Sequence, residues 1–312
     1  MGAGDGMVTR IRETAMIQDV MPKPGADAAF RTRVGAVGGA VAPGNRATGR
    51  GPAALVGGAA ALLVLFLALP LVAMLWRAAA ERERITPAAG ATLRQAITLS
   101  LLTSAIALVV ILALGTPLAY LLARRSFRGS RLIDVLVDLP IVLPPAVAGI
   151  ALLVAFGRQG LVGRWLNEIG ITVGFTTAAV VLAQIFIAAP FFVRASKAGF
   201  TRIDRDLEDA AADLGASPGK VFRTVTLPMA FPALIAGAVL AWARALGEFG
   251  ATIMFAGNFP GVTQTMPLAI YGRFGAGDLA SALLLSIVLL GLSVMVLLGL
   301  RFLGGRPIVL TS

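Results

Sequence analysis

The chain has 312 residues, of which 57% are hydrophobic and 14% charged, and its mean hydropathy is +0.86. Soluble domains carry roughly 25% charged residues, so this composition excludes a pair of soluble domains and indicates a polytopic membrane protein. Cys and His are absent, which excludes disulfides, thiolate or imidazole metal sites and Cys/His or Ser/His catalytic pairs. The net charge of +11 comes from 24 Arg and 3 Lys scattered between apolar runs, an arrangement that argues against a nucleic-acid partner.

Residues 1–54 are rich in Gly, Ala and Arg and have no apolar stripe. They are expected to be a disordered tail, because they cannot bury enough surface to offset ordering entropy. Six apolar stretches near the ~20 residues needed to span a bilayer follow, at 55–76, 96–123, 132–156, 177–196, 230–256 and 279–303, within a transmembrane domain of 55–305 and before a short tail of 306–312. Counting Arg301 with the C-terminal tail, 19 Lys and Arg fall on one side and 7 on the other, with Arg244 inside a span. The positive-inside rule then puts both termini in the cytoplasm.

The third span contains Pro140, Pro144 and Pro145. They remove backbone donors and are expected to kink or break it, as helices do where they line a cavity. The fifth span carries Arg244 and Glu248, four residues apart and so on one helix face. Two charges near mid-membrane are least costly as a pair facing protein or water, so this pair is a candidate for the substrate path or its gate. Gly237 with Ala241, and Ala243 with Gly247, repeat at a spacing that permits close helix contact.

The loop at 197–228 is the most specified part of the chain. Asp204 is expected to cap a helix that has Asp206 and Glu208 in its first turns and an apolar stripe of Leu207, Ala211 and Leu214. Gly215 supplies a left-handed stop, and Ser217 with Pro218 starts a second short helix expected to run to Pro228. The product is a helix, a bend and a helix that could plug a groove on a partner. Its acidic polar face fits an anionic lipid surface poorly.

The run Asp209-Ala210-Ala211-x3-Gly215-x9-Val225-x-Leu227-Pro228 resembles the E-A-A-x3-G-x9-I-x-L-P loop of the membrane subunits of bacterial ABC importers. It departs at Asp209, where Glu is usual, and at Val225, where Ile is usual; Glu208 is adjacent. The resemblance covers about residues 55–305. Thr116–Arg124, Leu139–Pro145 and Ala243–Thr252 are similar to the molybdate and sulfate branch, and Phe249–Asn258 with Thr263–Tyr271 is most like its molybdate permease subunits.

The resemblance implies an all-α type I importer fold in the bacterial inner membrane, with a homodimeric pathway for molybdate, or for tungstate, sulfate or thiosulfate. It also implies two ATPase subunits that bind MgATP, a binding protein outside, and no cofactor or metal on this chain. Glu208, Asp209, Ala210, Ala211, Gly215, Leu227 and Pro228 would then couple to the ATPase. Pro144, Pro145, Arg244, Glu248, Gly250, Thr252 and Asn258 would line or gate the pathway. Thr252, Asn258, Thr263 and Gln264 offer hydroxyl or amide donors to an oxyanion, and a larger residue at Gly250 should narrow the path.

Gly215-Ala-Ser-Pro-Gly219-Lys220-Val221 is one residue short of a phosphate loop and has Val where Ser or Thr must reach magnesium, so energy must come from another subunit. Two rival classes are an ion-coupled secondary transporter and an intramembrane aspartyl protease. The second is suggested by Gly275-Ala-Gly-Asp278, but no preceding span offers a partner Asp at matching depth.

Overall fold

The computed structural model describes residues 50–304, and every element among them is helical. The tail expected at 1–54 lies outside the described residues up to 49, while 50–54 open the first helix; the tail expected at 306–312 also lies outside them. Internal contacts divide the chain after Leu69. In the first unit, the described residues form the opening turns of α1 (Arg50–Glu81), a stretch without a charge after Arg50. Its remainder, from Pro70, opens the second unit.

The second unit continues with α2 (Pro87–Arg124), α3 (Ser130–Val142), α4 (Pro145–Phe156), α5 (Gly163–Glu168) and α6 (Thr177–Thr201). It then has α7 (Arg205–Asp213), α8 (Pro218–Val221), a π turn (Phe222–Thr226) and α9 (Leu227–Leu246). The last elements are α10 (Gly250–Ala256), α11 (Met266–Gly275) and α12 (Leu279–Gly304). Among the described residues five helices are long and apolar enough to cross a membrane, or six if α3 and α4 count as one bent span.

Helix α6 is the centre of the second unit and packs most extensively on α9 and α2. Lipid tails are as apolar as leucine, so spanning helices associate through close packing at small residues. Phe192, fully buried on α6, shows how this works. A Cβ on Gly115 of α2 would lie 2.8 Å from its ring, and one on Gly237 of α9 would lie 3.2 Å from its carbonyl oxygen. The phenyl ring fills the space that the two glycines leave. Gly237 and Ala241 are buried in this contact, whereas Ala243 and Gly247 are exposed; two residues along a helix reach its other side.

The third span breaks as its prolines predict, with a 119° bend between α3 and α4, and two other expected elements differ. Leu143 and Pro144 are both extended, with ψ of 133°, because each precedes a proline that disfavours helical backbone. The fifth span stops at Leu246 and restarts as α10, with Gly247 to Phe249 between. The short helix expected to end at Pro228 instead joins α9 through the π turn. Pro228 has no N–H for the carbonyl four residues back, and a widened turn accommodates that loss.

Candidate functional site

The loop after α6 is built as its residues dictate. Asp204 accepts a bond from the Asp206 N–H at 3.1 Å and caps α7. Gly215 stops the chain with φ +84°, a conformation that side chains with a Cβ resist. Pro218 occupies the first turn of α8, where its missing N–H costs nothing. Helix α7 buries none of its residues. Leu207 is 47% and Leu214 90% exposed, so two thirds of the apolar stripe is uncovered. Asp209, Ala210, Gly215 and Pro228 are also exposed, and Ala211 and Leu227 half-buried.

Glu208 does not share that exposure. Its Oε1 accepts from Arg124 Nη2 at 2.9 Å and from the Thr226 hydroxyl at 2.5 Å. Arg124 ends α2, and its Nη1 also donates to the Ile203 carbonyl at 3.2 Å. Its own carbonyl accepts from Arg205 at 3.0 Å. Of the two neighbouring acids, Glu208 therefore faces the protein and Asp209 the outside. Nearby, Lys197 binds Asp134 at 2.6 Å and Arg194 binds Asp138, which ties α6 to α3.

The second cluster lies where α9 breaks. Arg244 Nη1 is 2.8 Å from Glu248 Oε2, an ion pair without the alignment of a hydrogen bond. Glu248 Oε1 accepts the Ala251 N–H at 2.8 Å, so the acid both neutralises Arg244 and satisfies a free donor in the first turn of α10. Gln184 of α6 donates to the Ala245 carbonyl at 3.2 Å, while its own carbonyl oxygen and the Thr252 hydroxyl are buried without partners among the described residues. Gly250 seats α10 on α4, since a Cβ there would stand 2.6 Å from Pro145 Cβ; one on Gly149 would stand 2.6 Å from the Ala251 oxygen. Pro144 and Pro145 are exposed at the bend.

The polar groups of Asn258, Thr263 and Gln264 are engaged within their own loop and with the first turn of α11. Asn258 donates to the Leu268 carbonyl at 3.1 Å and accepts from Gln264 at 3.0 Å, and the Thr263 hydroxyl accepts the Phe259 N–H at 2.9 Å. Exposed donors lie instead on α2, where Arg94, Gln95 and Thr98 line a cleft of about 430 Å³ with Gly261 at its edge. At this end Asp278 caps α12 by accepting the Ser281 N–H at 3.1 Å, beside Thr86 and Arg273. The Ser281 hydroxyl, against the opposing effect of burial, holds its carboxyl below the usual range, helped by the Ser281 N–H, Thr86 and Arg273.

Sequence reasoning missed Arg124, Thr226 and Gln184. Arg124 was legible as a cation ending a long apolar run, but its pairing with Glu208, 84 residues on, comes only from the fold. Gln184 was legible as a lone amide inside a span.

Residues 115–307 match the family described as binding-protein-dependent transport system inner membrane component. The "Molybdenum transport system permease protein ModB" of Mycobacterium tuberculosis is 46% identical over 238 residues, 76% of this chain and 89% of that protein. The "Probable sulfate transport system permease protein cysT" of Chlorokybus atmophyticus is 36% identical over 242 residues, 77% and 85% of the two chains. A solved bacterial alginate ABC transporter, in complex with an alginate pentasaccharide-bound periplasmic protein, contains a chain similar in fold. The TM-score is 0.62 at 18% identity, over 80% of this chain and 92% of that one.

Proposed function

Because this chain belongs to the binding-protein-dependent transport system inner membrane components, we propose that it is the permease subunit of an ATP-driven importer of molybdate. The substrate assignment rests on the 46% identity with the mycobacterial molybdenum permease, against 36% with the sulfate permease over a similar length. The observation that carries the coupling role is the exposed, capped helix α7, with Leu207 and Leu214 uncovered at one end of a spanning bundle.

In this reading the 197–228 loop faces the cytoplasm, as do both termini, and α7 docks on an ATPase subunit, where Leu207 and Leu214 lose their contact with water. Two copies of the chain form the pathway, joined by two ATPase subunits and an extracytoplasmic binding protein. MgATP binds to the ATPase pair and supplies the energy; this chain transmits motion and carries the cargo.

In this proposal the residues take the following roles. Asp209, Ala210, Ala211 and Gly215 lie on the docking side, and Glu208, Leu227 and Pro228 join it to the bundle. Arg244 and Glu248, at the break between α9 and α10, and the Pro144–Pro145 bend against Gly250 form the element that gates. Thr252 and Asn258 belong to its outer continuation. A tetrahedral dianion then moves through contacts that are individually weak, because a site that binds too tightly cannot release.

The chain has no Cys, so Leu214→Cys gives a single label site. In cells expressing the chain without its ATPase subunit, a membrane-impermeant thiol reagent should reach it only after the membrane is opened, and added ATPase subunit should then protect it. Labelling of intact cells would reverse the orientation, and labelling unaffected by the ATPase would remove the docking role.

A further inference from the structure

We infer that Arg124 is the positioning residue through which displacement of α7 reaches the spanning helices; this rests on the coupling role proposed above. Helix α7 has nine residues and buries none of them, so apolar packing does not fix it to the bundle. Its side-chain bonds to α2 converge on Arg124, from Arg205 to the backbone oxygen and from the guanidinium to Glu208. The same guanidinium holds the Ile203 carbonyl just before α7. Glu208 passes the contact on to Thr226, the last residue of the π turn and the one that precedes α9.

The path along the chain is less direct. From α7 it crosses the left-handed bend at Gly215 and then the widened π turn before α9 begins. The polar node bypasses both. Arg124 and Glu208 side chains are only 9% and 15% exposed. Their attraction is thus less screened than that of a surface pair, and breaking it leaves a shielded charge without its partner. A push on α7 would therefore move the end of α2 and the start of α9 together.

A residue that only stabilises the loop and one that transmits motion differ in a measurable way. The test is the ratio of molybdate imported to ATP hydrolysed in vesicles holding the full complex, for the unchanged chain, Arg124→Gln, Arg124→Lys, the single changes Arg124→Glu and Glu208→Arg, and the exchanged pair that combines these two. Arg124→Gln should lower the ratio by about tenfold, as loss of one charge-assisted bond implies. Arg124→Lys should fall between, and the exchanged pair should exceed either of its single changes. If Arg124→Gln fails to assemble, Thr226→Val, which leaves the ion pair in place, is read for the same fall.

An unchanged ratio in assembled Arg124→Gln, or in Thr226→Val where that variant is the one read, would overturn the inference. So would an exchanged pair no better than its single changes. Absence of ATP-driven molybdate uptake by the unchanged complex would instead remove the proposed function on which the inference rests.

Discussion

The Glu248 carboxylate lies 2.8 Å from the Arg244 guanidinium, but the two ends of this pair are unequally sealed, with 1% of the acid's side chain exposed and 30% of the arginine's. The single substitutions should therefore be unequal too. Arg244→Ala strands a buried carboxylate and should cost about 3–5 kcal/mol, whereas Glu248→Ala leaves an arginine that still reaches water. Removing both charges should be less damaging than Arg244→Ala alone. Glu248→Gln, which can still accept from Ala251, should be milder than Glu248→Ala by about 1 kcal/mol. Thermal unfolding of the solubilised variants gives the order, and a double variant no better than Arg244→Ala would show the charges to be uncoupled.

The contact between α4 and α10 gives a packing prediction. Gly149→Ala would put a methyl 2.6 Å from the Ala251 carbonyl oxygen, and Gly250→Ala would put one 2.6 Å from Pro145 Cβ. Overpacking of this kind typically costs about 1–3 kcal/mol. Gly275→Ala, with no atom within 4 Å, should be neutral. Loss of complex assembly in Gly250→Leu would thus report this helix contact; equal melting of Gly149→Ala and Gly275→Ala would contradict it.

Much of this was legible in the residues. The Arg244–Glu248 spacing, the Asp204 cap and the Gly215 bend are local patterns, and each appears as its spacing implies. The break after Leu246 was not read from the sequence, because Gly247 and Glu248 interrupt the apolar run without a proline to mark a helix end. Its cause is partly local, since the Glu248 carboxylate accepts the Ala251 N–H three residues on, and partly tertiary, since the new helix packs on α4. The engagement of Asn258 and Gln264 with each other and with Leu268 likewise depends on a fold that composition does not reveal.

At Gly215 the backbone angle is the whole constraint, since no atom lies within 4 Å of an added Cβ. Gly215→Val should cost about 1–2 kcal/mol in the left-handed conformation and weaken capture of the ATPase subunit. Gly215→Asn should retain most of it, because Asn tolerates that region. Titrating the ATPase onto the solubilised chain distinguishes them; equal binding by the Val and Asn variants would show that the bend is not what the partner reads.

Asp278 gives a pH dependence. Its carboxyl titrates below its ordinary value, chiefly through the Ser281 hydroxyl. The stabilisation it brings is therefore present above the unfolded value of about 3.9 and is lost as pH falls through the lower folded value. The stability gap between the unchanged chain and Asp278→Asn should be constant above about pH 5 and shrink below about pH 4. A gap that widens on acidification would reverse the assignment.

Uptake by the complex tests the central claim most directly. The chain, its ATPase subunits and the binding protein, reconstituted in vesicles with MgATP on the ATPase side, should import labelled molybdate only when all components and ATP are present. Tungstate, a tetrahedral dianion of similar size, should compete strongly, and sulfate in equal excess weakly. Molybdate uptake that persists without ATP and follows an ion gradient, or sulfate uptake that molybdate does not inhibit, would contradict the account.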